Sequence, residues 1–393
     1  MVAEERPRFL EPAGEEQVGR KLFKRLPTAY EKFMAEQDIP IFHGIGIYDV
    51  RQLPMGPWRR MGGKGSFIEL SGLSGIKGMY AVEMPGGAAL NPEHHLYEEF
   101  IYVVEGRGAT EVWRTSSSKR HMFEWEAGAL FTIPINTEHR LLNGSSSPAI
   151  ILAATNAPPI MNIFQSEKFV FQNPYQFHER YDENEDYFKS HGEIEAEPMR
   201  GRATVVSNVF PDIIHCFLPL DNRRVAGYRR IQPRFFGFEH NADSGGFIGE
   251  FPSGRYAKAH HHSSGPVLVC LTGKGYTYAW PRDLGARPWE AGKGHLVKRQ
   301  DYIPGGLVSA APGGGDWYHQ HFAVAREPLR VLNFWGGPIP LNRYEDKDAG
   351  VEIKDGTNAI EFKDEDPSVA AEYRAAVERE GVPFQMREDM YRI

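Results

Sequence analysis

Gly254-Arg-Tyr-Ala-Lys-Ala-His260-His261-His262 runs on into the apolar stretch Val267-Leu-Val-Cys-Leu271 and then into Gly273-Lys-Gly275. In an extended strand, side chains two apart lie on the same face. His260 and His262 therefore present two imidazoles together, half of a divalent metal site, and neutral imidazole suits Zn, Fe, Cu and Ni. The run is internal and leads into a strand-like pattern, which argues against a polar tag or a loop that merely happens to be rich in histidine.

The same unit occurs earlier in the chain. Pro85 and Pro252, Gly87 and Gly254, Gly106 and Gly273, Gly108 and Gly275, and Trp113 and Trp280 are each 167 residues apart. The stretch Glu105-Gly-Arg-Gly-Ala-Thr-Glu-Val-Trp113 reads like Thr272-Gly-Lys-Gly-Tyr-Thr-Tyr-Ala-Trp280. An internal repeat of this length implies one structural unit built twice.

Each unit resembles the cupin pattern, in which a glycine leads to His-x-His, then Glu, then Gly, and a second motif holds Gly, Pro, His and Asn. In the first unit Gly87 leads to Glu93-His94-His95, Glu99 and Gly106, and the second motif is Gly128, Pro134, His139 and Asn143. In the second unit Gly254 leads to His260, His262 and Gly273, followed by Gly306, Pro312 and His319, with Ala323 where Asn would stand. The resemblance implies an all-β fold of two cupin (double-stranded β-helix, jelly-roll) barrels and covers roughly half the chain.

Two departures set the expected ligands. Glu93 stands where the first unit would carry its first His, leaving His95, Glu99 and His139, with Glu93 as a fourth candidate. Pro266 stands where the second unit would carry its Glu, leaving His260, His262 and His319. The second set is the preferred metal site. His321, two residues beyond His319, rivals it for the ligand role and is the candidate catalytic group, since an imidazole exchanges protons near neutrality. A hydrogen-bonded interior histidine is the alternative. His261 is expected to face away from the site, and Tyr276 and Trp280 to serve core packing.

Short runs between turn signals, at Phe67–Leu70, Met79–Met84, Phe100–Val104, Thr110–Trp113, Leu130–Ile133 and Ala149–Ala153, read as strands of a barrel or sandwich. The expected divisions are an arm with a short helix over 1–65, the first barrel over 66–156, a connector over 157–227, the second barrel over 228–338 and a tail with a helix over 339–393. The arm helix has Thr28 as its cap, and the tail helix starts at Pro367 with Gly381 just past its end. His319 lies 46 residues past Gly273 whereas His139 lies 33 past Gly106, so the second barrel carries 13 extra residues around 282–289, a candidate lid. Gly106 and Gly108, and their counterparts Gly273 and Gly275, are expected to permit positive φ at tight strand connections.

With 393 residues, 41% hydrophobic and 25% charged, the chain can fill two cores, and its net charge of −7 with no basic stripe excludes nucleic acid as a partner. Two cysteines, Cys216 and Cys270, do not suggest a disulfide framework or a thiolate metal site. No signal-like apolar core and no long apolar run are present, so a cytoplasmic homo-oligomer with no membrane partner is expected. Three imidazoles leave coordination positions open, and such a set resembles that of cupin dioxygenases acting on gentisate, salicylate-like compounds or thiols. The resemblance implies a non-haem Fe(II) dioxygenase for a small aromatic or hydroxy-carboxylate substrate, with one ion per active barrel. Alternatives are a Mn(II), Zn(II) or Ni(II) lyase, decarboxylase or isomerase, and a non-catalytic binding or storage protein.

Overall fold

A computed structural model describes residues 26–189, 195–199, 202–215, 235–238, 241, 245–261, 266–312, 316–335 and 358–391. His262, Cys216 and the divisions at 227–228 and 338–339 lie outside them.

Each repeat folds as a large sheet facing a three-stranded one. The first large sheet runs, edge to edge, through Ile41–Gly44, Gly63–Leu70, Gly78–Met84, Ala149–Thr155, Glu99–Glu105, Leu130–Ile133 and Val209–Phe210. Its three-stranded partner is Glu138–Leu142, Arg107–Trp113 and His121–Glu126. The second repeat follows the same plan: Gly245–Phe251, Leu329–Trp335, Pro266–Thr272 and Leu307–Ser309 stand in one sheet, and Lys298–Tyr302, Gly275–Pro281 and Trp317–Ala323 in the other. The all-β, two-barrel architecture is therefore present, and the 167-residue offset places equivalent strands in equivalent positions.

Residue choice follows position. Every residue of Ala149–Thr155 is buried, as an inner strand demands. In His121–Glu126 the buried Phe123 and Trp125 alternate with exposed Met122, Glu124 and Glu126, the period-two pattern of a strand with one wet face. Ion pairs such as Arg140 to Glu111, at 2.7 Å, lie along the rim of the small sheet.

The paired glycines divide the labour. Gly106 and Gly273 adopt φ of 91° and 72°, as expected. Gly108 and Gly275 do not. They allow close approach instead: a Cβ on Gly108 would sit 2.0 Å from the Leu142 carbonyl oxygen, and one on Gly275 would sit 2.3 Å from that of Phe322.

The segments outside the barrels tie the two together. Gly46–Ile47, in the arm, pairs with Leu307 and Val308 of the second barrel. Val209–Phe210, in the connector, returns to pair with Leu130 and Phe131 of the first. One continuous apolar cluster lies between, including Phe100, Phe236, Phe238, Val267, Leu307 and Phe334, with the rings of Phe100 and Phe334 4.9 Å apart. The arm thus bridges both barrels of its own chain. Its helix, Ala29–Glu36, starts with a reciprocal cap in which Thr28 Oγ1 accepts from the Glu31 amide at 3.2 Å and Glu31 Oε2 accepts from the Thr28 amide at 2.7 Å.

The tail helix, Pro367–Arg379, packs Val369, Tyr373 and Val377 against Tyr256 and Phe322 of the second barrel. Asp366 caps it, accepting from the Ser368 amide at 3.0 Å. The other Asp366 oxygen accepts from the amides of Trp289 and Glu290 at 2.8 and 2.9 Å. The extra residues of the second barrel are therefore pinned to the tail, contrary to what a lid would require. Tyr276, Trp280 and Cys270 are all buried in the core.

Two stability predictions come from this packing. Gly108→Ala should lower unfolding free energy by about 1–3 kcal/mol through overpacking against backbone, read by urea denaturation. Gly144→Ala, where an added Cβ meets nothing within 4 Å, should change it little. The second concerns Glu365, whose carboxyl is buried and pushed up to about 8, with Asp366 adding to the rise and hydrogen bonds from Tyr256 and Gln320 opposing it. The folded state holds this proton more tightly than the unfolded chain does. Its contribution is full below the ordinary glutamate value of about 4.3, falls as pH rises, and is gone once pH passes about 8. Glu365→Gln should flatten that decline, by an amount on the order of 4 kcal/mol between the two limits, measured as the difference in pH-dependent unfolding free energy.

Candidate metal centres

In the first barrel, ligand groups converge from both sheets. His95 lies in the loop before the Glu99–Glu105 strand, Glu99 begins that strand, and His139 comes from Glu138–Leu142 of the small sheet. All three are buried, and their ligand atoms lie within 4.8 Å of one another. His95 Nδ1 lies 3.0 Å from the Tyr97 carbonyl oxygen, and His139 Nδ1 3.3 Å from that of Thr137. A protonated Nδ1 that donates to such a carbonyl leaves Nε2 as the free lone pair, the arrangement that orients histidine ligands. The two Nε2 atoms stand 3.6 and 3.7 Å from the same oxygen of Glu99, Oε2. Tyr80 donates to the other oxygen, Oε1. The Tyr97 ring stacks flat on His95, with centroids 3.8 Å apart.

Glu99 Oε2 is buried without a hydrogen-bond partner among the described residues. Separations of 3.6 and 3.7 Å are too long for hydrogen bonds. They are close to the roughly 3.4 Å expected between two donors that each sit about 2.1 Å from one ion at a tetrahedral angle. Burial alone would raise the Glu99 carboxyl, but His139 and His95 beside it hold it well below the usual range. Burial lowers His95. An ionised carboxylate and a neutral imidazole are the forms that bind metal, so this donor set fits a divalent cation.

Glu93 is not part of the group. Its Oε2 is gripped by Arg60 through Nε at 2.9 Å and through Nη2. Burial raises the Glu93 carboxyl, opposed by Arg60 and His139 and reinforced by Glu99. Asn143, the last residue of the second motif, donates to the carbonyls of Met84, Pro85 and Ser147 and so fixes a turn.

The second barrel gathers a different set: His260, His319 and His321, all buried, with ligand atoms within 4.8 Å of one another. The expected partner His262 lies outside the described residues, and His321 stands in the cluster beside the other two. His260 Nδ1 lies 3.0 Å from the Lys258 carbonyl oxygen, and His321 Nδ1 2.8 Å from Thr277 Oγ1. His319 and His321 alternate with Gln320 on one strand and so share a face. His261 is outside the trio, its ring edge-on to Tyr318. The tail runs alongside: His260 bridges to Ala359, and the His261 amide donates to the Asn358 carbonyl.

A cleft of about 580 Å³ adjoins the first trio, lined by Arg60, Glu93, His94, Glu138, Phe171 and Asn173 among others. His94 Nε2 is buried with no hydrogen-bond partner among the described residues. The cleft rests on Arg60 and Phe171, residues that the sequence motifs do not mark. Phe171 lies under the Arg60 guanidinium, 4.0 Å from Cζ to the ring centroid.

Two sheets, one strand order and an interior histidine–carboxylate cluster point one way. Residues 80–155 match the cupin domain family. The cupin match thus spans the strands that carry the first trio up to the end of the first barrel. No curated protein matches the sequence. The chain overlays on the oxalate decarboxylase of Lactobacillus farciminis, in complex with formate, at 12% identity and a TM-score of 0.46, covering 74% of this chain and 86% of that one. A Bacillus subtilis oxalate decarboxylase studied for its Mn(II) centres overlays at 12% identity and a TM-score of 0.45, covering 76% and 80%. At these values the likeness carries no argument about chemistry.

Metal content tests both trios. His95→Ala should remove the ion of the cupin site in the first barrel, and His319→Ala that of the second, each measured as metal per chain after equilibration with excess Mn(II) and desalting. His261→Ala should retain the wild-type amount. Equal content in His95→Ala, His319→Ala and His261→Ala would sink the assignment of both.

Proposed function

We propose that the protein is a metal-dependent enzyme of the lyase, decarboxylase or isomerase class, acting on a small carboxylate in the first barrel. The observation that supports this is the Arg60–Glu93 pair at the wall of a cleft that adjoins His95, Glu99 and His139. A guanidinium draws an anionic substrate and orients its carboxylate. A carboxyl beside it can carry a proton to or from a substrate carbon. These are the tools of redox-neutral chemistry. A divalent ion held by His95, Glu99 and His139 would supply a Lewis acid that polarises the substrate carboxylate. Tyr80 keeps Glu99 turned so that Oε2 faces the imidazoles. The stacked Tyr97 holds the plane of His95. Mn(II) suits a set that mixes carboxylate and imidazole donors.

A second reading is favoured by the His260–His319–His321 trio, which adds no negative charge and suits Fe(II). In that reading the second barrel activates dioxygen for an aromatic or hydroxy-carboxylate substrate, with His321 a ligand or a base.

The two readings part on oxygen. Purified protein loaded with Mn(II) or Fe(II) is offered a panel of small mono- and dicarboxylates, hydroxy acids and dihydroxyaromatic acids, with oxygen electrode and product analysis run together. We expect turnover with no net dioxygen consumption, abolished in His95→Ala and reduced at least tenfold in Glu93→Gln, an effect in the usual range for a general acid or base. Stoichiometric oxygen uptake, kept in His95→Ala and lost in His319→Ala, would establish the dioxygenase reading instead.

A further inference from the structure

The two barrels allow an internal comparison at one backbone position. In the first, the Glu93 amide donates to the His139 carbonyl at 2.8 Å and the His139 amide returns the bond at 2.9 Å. In the second, His260 and His319 exchange the same pair of bonds, at 3.0 and 2.8 Å. Glu93 and His260 are also 167 residues apart, the offset of the repeat. Position 93 is therefore the structural counterpart of position 260, and at 260 the side chain belongs to the metal-ligating group. Glutamate is a competent ligand, yet Glu93 turns aside to Arg60, which comes from the segment before the barrel. Arg60 is itself held in place. Its guanidinium stacks on Phe171 and lies 5.7 Å from the Phe33 ring centroid, and both of its contacts fall on a single Glu93 oxygen.

We infer that Glu93 is a latent fourth ligand, and that Arg60 is a positioning residue that holds it off the ion and so keeps a coordination position open toward the cleft. The inference rests on the metal reading of the first trio given above. Without the Arg60 grip, the Glu93 carboxylate would turn inward, complete the coordination and exclude an incoming carboxylate. The aromatic support from Phe33 and Phe171 links the arm helix and the connector to that open position.

Co(II) titration of the metal-depleted protein tests this, because visible absorption reports coordination number and azide reports an open position. The signal from the first barrel is the part lost in His95→Ala. In wild-type protein azide should perturb that part. In Arg60→Met, Co(II) should bind about tenfold more tightly, the scale of effects from groups that support ligands. Its spectrum should shift and its azide response should weaken at least tenfold. Arg60→Lys should behave like wild type. Removing a cation would by itself favour metal binding, so the Arg60→Met/Glu93→Gln double variant is decisive: it should return to the wild-type azide response. An azide response unchanged in Arg60→Met, or a loss that persists in the double variant, would overturn the inference while leaving the metal site standing. Absence of any Co(II) signal that depends on His95 would overturn the metal reading, and this inference with it.

Discussion

A carboxylate oxygen buried between two imidazoles, with no hydrogen donor in reach, needs positive charge to stay ionised. Glu99 Oε2 is in that position, and much of the first barrel is arranged around it. The two sheets meet there, because Glu99 starts a strand of the large sheet while His139 belongs to the small one. Removing water from this point makes the interaction with a cation strong and makes an empty, charged site costly. The site is therefore tied to the closure of the barrel: the strands bring the ligands together, and a bound cation would in turn hold the two sheets at their open end.

The barrels are built alike and equipped differently. They share only the histidine at the second-motif position, His139 and His319, in their ligand groups. The first adds its ligands from the loop and strand that precede it in sequence; the second adds His260 and, along the same strand as His319, His321. The residue facing Thr277 is His321, while the residue facing Thr110 is Leu141, so a single apolar-to-imidazole difference moves the centre within the barrel. Surroundings diverge to match. A cleft adjoins the first centre, whereas the second has the tail paired along its His260 edge.

The repeat, the strands with long apolar runs and both capped helices are legible in the sequence because each rests on local pattern: spacing, turn residues and caps. The strands His121–Glu126 and Glu138–Leu142 are not, since they are short, polar on one face and pass for loop in composition. His95, Glu99 and His139 stand out through motif spacing. Glu93 reads as a possible ligand, and only the position of Arg60, 33 residues earlier, turns it away. Arg60 and Phe171 carry no motif, and their role arises from an arm and a connector that meet over the barrel mouth. His321 is marked by its i, i+2 relation to His319, which does not say whether a histidine serves as ligand or base. The glycine pairs are half legible: sequence shows that no side chain is tolerated, but not whether φ or crowding is the reason.

The short strand at Gly46–Ile47 has a consequence for how the molecule is made. It is among the first described segments to leave the ribosome, yet its hydrogen-bonding partners, Leu307 and Val308, are synthesised about 260 residues later. The first barrel likewise waits for Val209–Phe210 to cover the edge of Leu130–Ile133. Neither half completes its sheets from its own repeat alone. Contacts at such separation slow folding and leave sheet edges open while synthesis continues. The duplication therefore produced two units that can no longer be assembled in sequence: the beginning of the chain is held in suspense until nearly all of it exists, and the two barrels mature as one cooperative body.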